Sequence, residues 1–173
     1  SKSLRELADV DLYPFKEAIR AGVSSIMLGH LGIPSLDKLP ASMSEKIISG
    51  LLRKELGFEG LILTDALNMH ALKEFGSVPV QCLNAGVDVL LHPSNADSAV
   101  AELKQAVSSG ELKEEKIDMA ISRILKFKNK TVTTCTIALI ERAEYVRNAE
   151  LAQALFDKSV TLVKDTKGLL PVN

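Results

Sequence analysis

Neither sign of charge dominates this 173-residue sequence: 21 lysines and arginines stand against 22 aspartates and glutamates, for a formal net charge of −1. Without a basic field nothing draws nucleic acid to the surface, so no nucleic-acid partner is expected. Cysteine is scarce. The two present, Cys82 and Cys135, have neither CxxC nor Cys/His ligand spacing, so no metal site is expected, and their spacing alone implies no disulfide. No apolar run approaches the roughly 20 residues of a membrane-spanning helix. The opening SKSLRELADVDL has no h-region of a secretory leader, so no membrane partner is expected and the compartment stays open. Repeats and low-complexity tracts are absent, and no G-x-G-x-x-G follows an apolar run, which leaves a dinucleotide without support; no cofactor is expected.

What is present is an ordinary globular composition, 46% hydrophobic and 25% charged, in a chain long enough to bury a sizeable core. Three short apolar runs stand out: VSSIML (Val23–Leu28), GLILT (Gly60–Thr64) and VDVLL (Val87–Leu91). Rich in Val, Ile and Leu and without clean polar alternation, they predict strands buried on both faces of a parallel sheet. Helical patterns lie between them. LYPFKEAIRAG spaces Phe15, Ala18 and Ile19 for one helix face and stops at Gly22. In SMSEKIISGLLRKELGF, Ser42 and Glu45 form an S-x-x-E capping box ahead of Ile47, Ile48, Leu51, Leu52 and Leu56, and Gly57 ends the pattern. NMHALKEF and PVQCLNAG read as two short helices, the second started by Pro79. Asn95 and its neighbours resemble a cap for SAVAELKQAVSSG.

From Glu114 the pattern is largely helical, first with Ile117, Ala120, Ile121, Ile124 and Leu125 on one face, then from about Glu141 to Lys158 with Val146, Leu151 and Leu155. TVTTCTIAL between these helices is β-prone, and SVTLVKDTKGLLPVN reads as a further strand and turn. The order α-β-α-β-αα-β-α-α predicts an α/β fold with parallel strands, either an open doubly wound sheet or a (β/α)8 barrel.

Ligands of such folds bind at the C-terminal ends of the strands. Those positions hold Gly29-His30, Thr64-Asp65 and His92-Pro93. Each residue has a plain structural reading: Asp65 as a helix N-cap, His30 as a hydrogen-bonded structural histidine, and His92 as a loop residue held extended by the following proline. His70 reads as an exposed helix residue, Arg53 and Glu55 as ion-pair partners, and ELKEEK as a solvated surface. On single residues alone, both the structural and the functional readings stand.

Taken together, DLYPFKEAIRAGVSSIMLGH, PSLDKLPASMSEKIISGLLRKELGFEGLILTDALNM and AGVDVLLHP resemble glycoside hydrolase family 3, in particular its β-N-acetylglucosaminidase branch. The spaced pattern LLRKELGFEGLILTDAL is far more specific than any single short motif, and the resemblance extends from about Leu12 to Lys128. It implies that residues 1–130 are the last three βα units of a (β/α)8 TIM barrel, and that 131–173 are a helical linker and the start of a second domain. It implies a carbohydrate substrate, with Asp65 as catalytic nucleophile and His30 helping to form the sugar site. A retaining glycosidase needs such a carboxylate to attack the anomeric carbon, and an acid/base partner to protonate the leaving oxygen and then activate water.

A full barrel takes about 250 residues. The family's substrate-contacting KHFPGHG segment has no counterpart here, and no Asp-x-His occurs that could match this branch's acid/base loop; glucosidase members instead draw a glutamate from a C-terminal domain. The expectation is therefore a fragment of a larger glycosidase, inactive in isolation, whose exposed sheet edge promotes self-association.

Overall fold

The three apolar runs form strands β1 (Ser25–Leu28), β2 (Leu61–Ala66) and β3 (Val89–Leu91). They make one parallel sheet in the order β1-β2-β3. The structure, a computed structural model, describes residues 6–72, 74–131 and 142–160. The chain divides into two compact units, Ser1–Thr133 and Thr134–Asn173. The sheet belongs to the first; the second contributes helix α6 (Arg142–Ser159), on which Val146, Leu151 and Leu155 are exposed. Cys135, the β-prone run after Thr131 and the expected strand at the end of the chain lie outside the described residues.

Helix α1 (Tyr13–Arg20) opens with Pro14 in its first turn. It closes where Gly22, at φ +81°, lets its own N–H reach Ile19 O (3.0 Å) and the N–H of Val23 reach Ala18 O (3.0 Å). This double closure is a Schellman motif and turns the chain into β1. Helix α2 (Lys46–Glu55) is wound wide, with i→i+5 hydrogen bonds. Its start corrects the expected capping box: Ser44, not Ser42, accepts the N–H of Ile47 (3.2 Å), and Glu45 makes no side-chain cap. Ser42 is withdrawn into the interior to serve a different partner, described below.

Helix α3 (Val78–Ala85) begins with Pro79 in its first turn, as the sequence predicts. The helix expected just before it is a single 3-10 turn, His70–Leu72. Helix α4 (Ala96–Ser109) is capped by Asn95, whose Oδ1 accepts the N–H of Ser98 (2.9 Å). In helix α5 (Glu114–Thr131) only part of the expected stripe is covered: Ala120 is buried, while Ile121 and Leu125 stay exposed.

One face of the sheet is packed. Ile26 and Leu28 of β1 and Ile62 of β2 meet Ile48 and Leu52 of α2 and Cys82 and Ala85 of α3. Ile48 and Ile62 are fully buried, each adding about 1.5–3 kcal/mol of hydrophobic stabilisation. Burial pushes the Cys82 thiol up to about 12, so it behaves as an apolar core group. A second cluster joins Val80 and Leu83 of α3 to Ala106 and Leu112.

The expectation of strands buried on both faces is corrected. Burial alternates along β1, and Met27, which points away from the core with its register partner Leu63, is 56% exposed. The described helices cover one face of the sheet, and the opposite face carries Asp65.

Candidate active site

Asp65 lies inside β2, which continues past it to Ala66, so it caps no helix: its Oδ1 accepts the N–H of Ala66 (2.7 Å) within the strand. The end of β2 is irregular. Leu63 pairs with Val89 and Ala66 pairs next with Leu91, so the span 63–66 is matched by the shorter span 89–91. The extra residue is a β-bulge on Thr64-Asp65, a device that re-aims a side chain at a strand end. Against β1 the register stays regular up to Leu28↔Thr64. Thr64 faces the core and is fully buried; Asp65, next along the strand, turns to the open face and is half-buried.

Side chains on both flanks brace this bulge. From β3, the N–H of Leu91 donates to Thr64 Oγ1 (3.0 Å), and the N–H of Leu67 donates back to Leu91 O (2.9 Å). On the β1 side His30 stands just past the strand end. Its Nε2 lies 3.2 Å from Ala66 O and its Nδ1 2.7 Å from Ser42 Oγ. A carbonyl can only accept, so Nε2 carries the proton. In neutral imidazole Nδ1 is then the acceptor and Ser42 the donor. Ser42 reaches this position because the loop after β1 folds back, with Gly32 bridged to Pro40 and the N–H of Ala41 donating to Leu31 O (2.8 Å). The same loop holds Asp37, whose Oδ2 accepts from Ser44 Oγ (2.6 Å); that hydrogen bond holds the carboxyl below the usual aspartate range.

His92 is exposed at the end of β3, and its φ of +45° corrects the extended backbone expected before Pro93. β3 has only three residues, and after the left-handed residue His92 the backbone is extended again at Asn95 (φ −144°, ψ 118°), just before α4. His70 lies in the 3-10 turn, exposed as expected.

At the opposite, N-terminal ends of the strands sits a charged network whose centre the sequence reading missed. Asp88, with no side-chain exposure, receives Arg53 Nη2 (2.6 Å) and the N–H of Ile62 (2.8 Å) on Oδ2, and Arg123 Nη1 (2.8 Å) on Oδ1. Arg53 also donates through Nη1 to the carbonyls of Phe58 (2.8 Å) and Gly60 (2.6 Å), and its guanidinium lies 5.5 Å from the centre of the Phe58 ring. Burial lowers the pKa of Arg53, with Asp88 opposing that shift. Gly60 is obligatory in this turn, because a Cβ would come within 2.5 Å of Ser24 O and of the Phe58 ring. The ion-pair role expected for Arg53 is what the geometry displays. The available signal for Asp88 was a lone carboxylate within the apolar run VDVLL, which forces a buried partner.

The site therefore defines an α/β protein with a carboxylate on a bulge at the C-terminal end of a parallel strand, the end where such folds do chemistry. The family model described as "Glycosyl hydrolase family 3 N terminal domain" matches residues 1–127, and the chain belongs to that family. It is 34% identical over 145 residues to a protein named beta-hexosaminidase A from Pseudoalteromonas piscicida, covering 69% of this chain and 24% of the relative. It is 29% identical over 182 residues to a beta-N-acetylglucosaminidase/beta-glucosidase of Cellulomonas fimi, covering 91% of this chain and 31% of the relative. Among solved structures, a family 3 beta-N-acetylglucosaminidase from Paenibacillus sp. matches with a TM-score of 0.73 at 33% identity, over 95% of this chain and 34% of that one. The chain thus spans between 24% and 34% of the length of these relatives.

Proposed function

We propose that this chain carries the nucleophile of a retaining exo-β-glycosidase acting on terminal β-linked N-acetylglucosamine, and that the nucleophile is Asp65. The observation that carries this reading is the placement of Asp65 on a braced bulge at the C-terminal end of β2, facing away from the core. With Oδ1 oriented by Ala66, the carboxylate presents Oδ2 to the anomeric carbon. Attack forms a glycosyl-aspartate ester as the bond from that carbon to the leaving oxygen breaks, and an acid supplies the proton the leaving oxygen takes. The same group, now a base, takes a proton from water, which cleaves the ester and restores Asp65.

In this reading the three βα units are part of a (β/α)8 barrel, with Met27 and Leu63 on its inner surface, and residues from 131 onward lead into a second domain. The acid/base comes from sequence beyond these 173 residues, so the chain alone turns nothing over. The name of the Cellulomonas relative supports a second reading, a β-glucosidase-type member. Both readings are tested by hydrolysis of aryl β-N-acetylglucosaminide and aryl β-glucoside, using a polypeptide extended through the acid/base region. Asp65→Asn is expected to lower kcat at least about a thousandfold on the preferred substrate. Unchanged turnover in that variant would remove Asp65 from the chemistry. No turnover of either substrate by the extended wild type would favour a non-catalytic carbohydrate-binding domain.

A further inference from the structure

The hydrogen bonds on the two sides of Ala66 link a buried hydroxyl, through the Ala66 backbone, to the Asp65 carboxylate. Ser42 Oγ–H donates to His30 Nδ1, His30 Nε2–H donates to Ala66 O, and Ala66 N–H donates to Asp65 Oδ1. Ala66 O also accepts the N–H of Met69 (3.2 Å), so the peptides on both sides of the Ala66 Cα are held. A bulge needs such support. It leaves the ladder locally unpaired, and a carboxylate carried on it would otherwise drift with the strand end.

Both His30 nitrogens are engaged inside the protein, leaving neither for a sugar hydroxyl in this arrangement. Ser42 is fully buried, and its hydroxyl occupies the Nδ1 side of the ring. The Ala66 carbonyl decides the tautomer: it can only accept, so the ring presents N–H at Nε2, and Nδ1 is left to accept from the Ser42 hydroxyl.

We infer that Ser42 and His30 are positioning residues, a cross-strand clamp from the β1–α2 loop that fixes the Asp65 carboxylate through Ala66, with His30 acting on the backbone rather than on the sugar. This rests on the glycosidase reading for its kinetic consequence, but the clamp itself is a structural claim with its own readout.

The test has two arms. In the 173-residue chain, which has three histidines, ring 15N shifts at neutral pH are expected to show His30 as the Nε2–H tautomer. Ser42→Ala, which removes the partner of Nδ1, is expected to shift the Nδ1 resonance while the Ala66 carbonyl keeps the proton on Nε2. A wild-type Nδ1–H tautomer, or rapid tautomer exchange like that of an exposed histidine, would overturn the clamp without any variant having to fold.

In the extended, active polypeptide, Ser42→Ala and His30→Ala are each expected to lower kcat about 10- to 100-fold with KM within about twofold, as for a misplaced reacting group. The double variant is expected to be no worse than the poorer single one, because the two residues act as a unit. A raised KM with kcat intact in His30→Ala would instead assign the ring to direct sugar contact and overturn the proposal. The two readings fail separately. A correct tautomer with no turnover on either substrate would strike the glycosidase reading and leave the clamp. A wrong tautomer with Asp65-dependent turnover would do the reverse.

Discussion

At the scale of single residues, chemistry depends on which atom a side chain spends on its neighbours. Asp65 spends one carboxylate oxygen on Ala66, and His30 spends both ring nitrogens. Asp37 is a simpler case with a pH consequence. Donation from Ser44 Oγ lowers its folded-state pKa below the ordinary aspartate value of 3.8. A depressed carboxylate pKa contributes stability that is complete above the unfolded value and is lost as pH falls through the lower, folded one. Urea midpoints are therefore expected to drop between about pH 5 and the lower folded value, and Asp37→Asn is expected to flatten that acid arm while leaving a constant deficit above it. An acid arm identical in the variant would show that the Ser44 contact confers no linkage. Asp65 and His30 were legible as candidates because chemistry-bearing residues stood just after apolar runs. Ser42 was not: S-x-x-E has the spacing of a capping box, and only the folded-back loop makes its hydroxyl a partner for His30 rather than for a helix N-terminus.

At the scale of elements, the sheet is anchored at one end by charge and shaped at the other by a bulge. Asp88, at the start of β3, ties α2 through Arg53, α5 through Arg123 and β2 through the Ile62 amide. Removing its charge leaves two guanidinium groups facing each other with a poorer acceptor between them. Breaking a buried pair costs about 3–5 kcal/mol. Arg123 retains 31% exposure, which puts Asp88→Asn at the lower end, about 3 kcal/mol by urea denaturation. A loss below about 1 kcal/mol would mean that the network is replaceable by water. The order of the elements was legible from periodicity, and all three strands fall where the apolar runs are, while the helix expected over NMHALKEF shrinks to a 3-10 turn. The strand ends were not, because a bulge has no signature of its own in GLILTDA: β2 continues past Thr64-Asp65 through pairing with both neighbours, including Leu28↔Thr64, Ala66↔Leu91 and the bond from Leu91 N–H to Thr64 Oγ1.

At the scale of the whole molecule, the described elements leave β1 with one sheet neighbour, and Met27 and Leu31 exposed beside it. An unpaired edge next to apolar surface invites pairing with another chain. The 173-residue chain is accordingly expected to self-associate with rising concentration in sedimentation velocity, and Met27→Lys to shift it toward monomer. A single monomeric species across the concentration range would count against this. The sequence by itself determined the α/β class, the parallel strands and the family, because apolar periodicity and a long spaced motif are properties of the chain read in order. Only the tertiary structure decided which sheet face is covered, where the strand bulges, which serine caps α2 and which one meets His30. Each of those depends on residues far apart in sequence, such as His30 and Ala66 or Arg53 and Asp88, competing for the same hydrogen-bonding atoms, and one-dimensional spacing cannot rank such competitors.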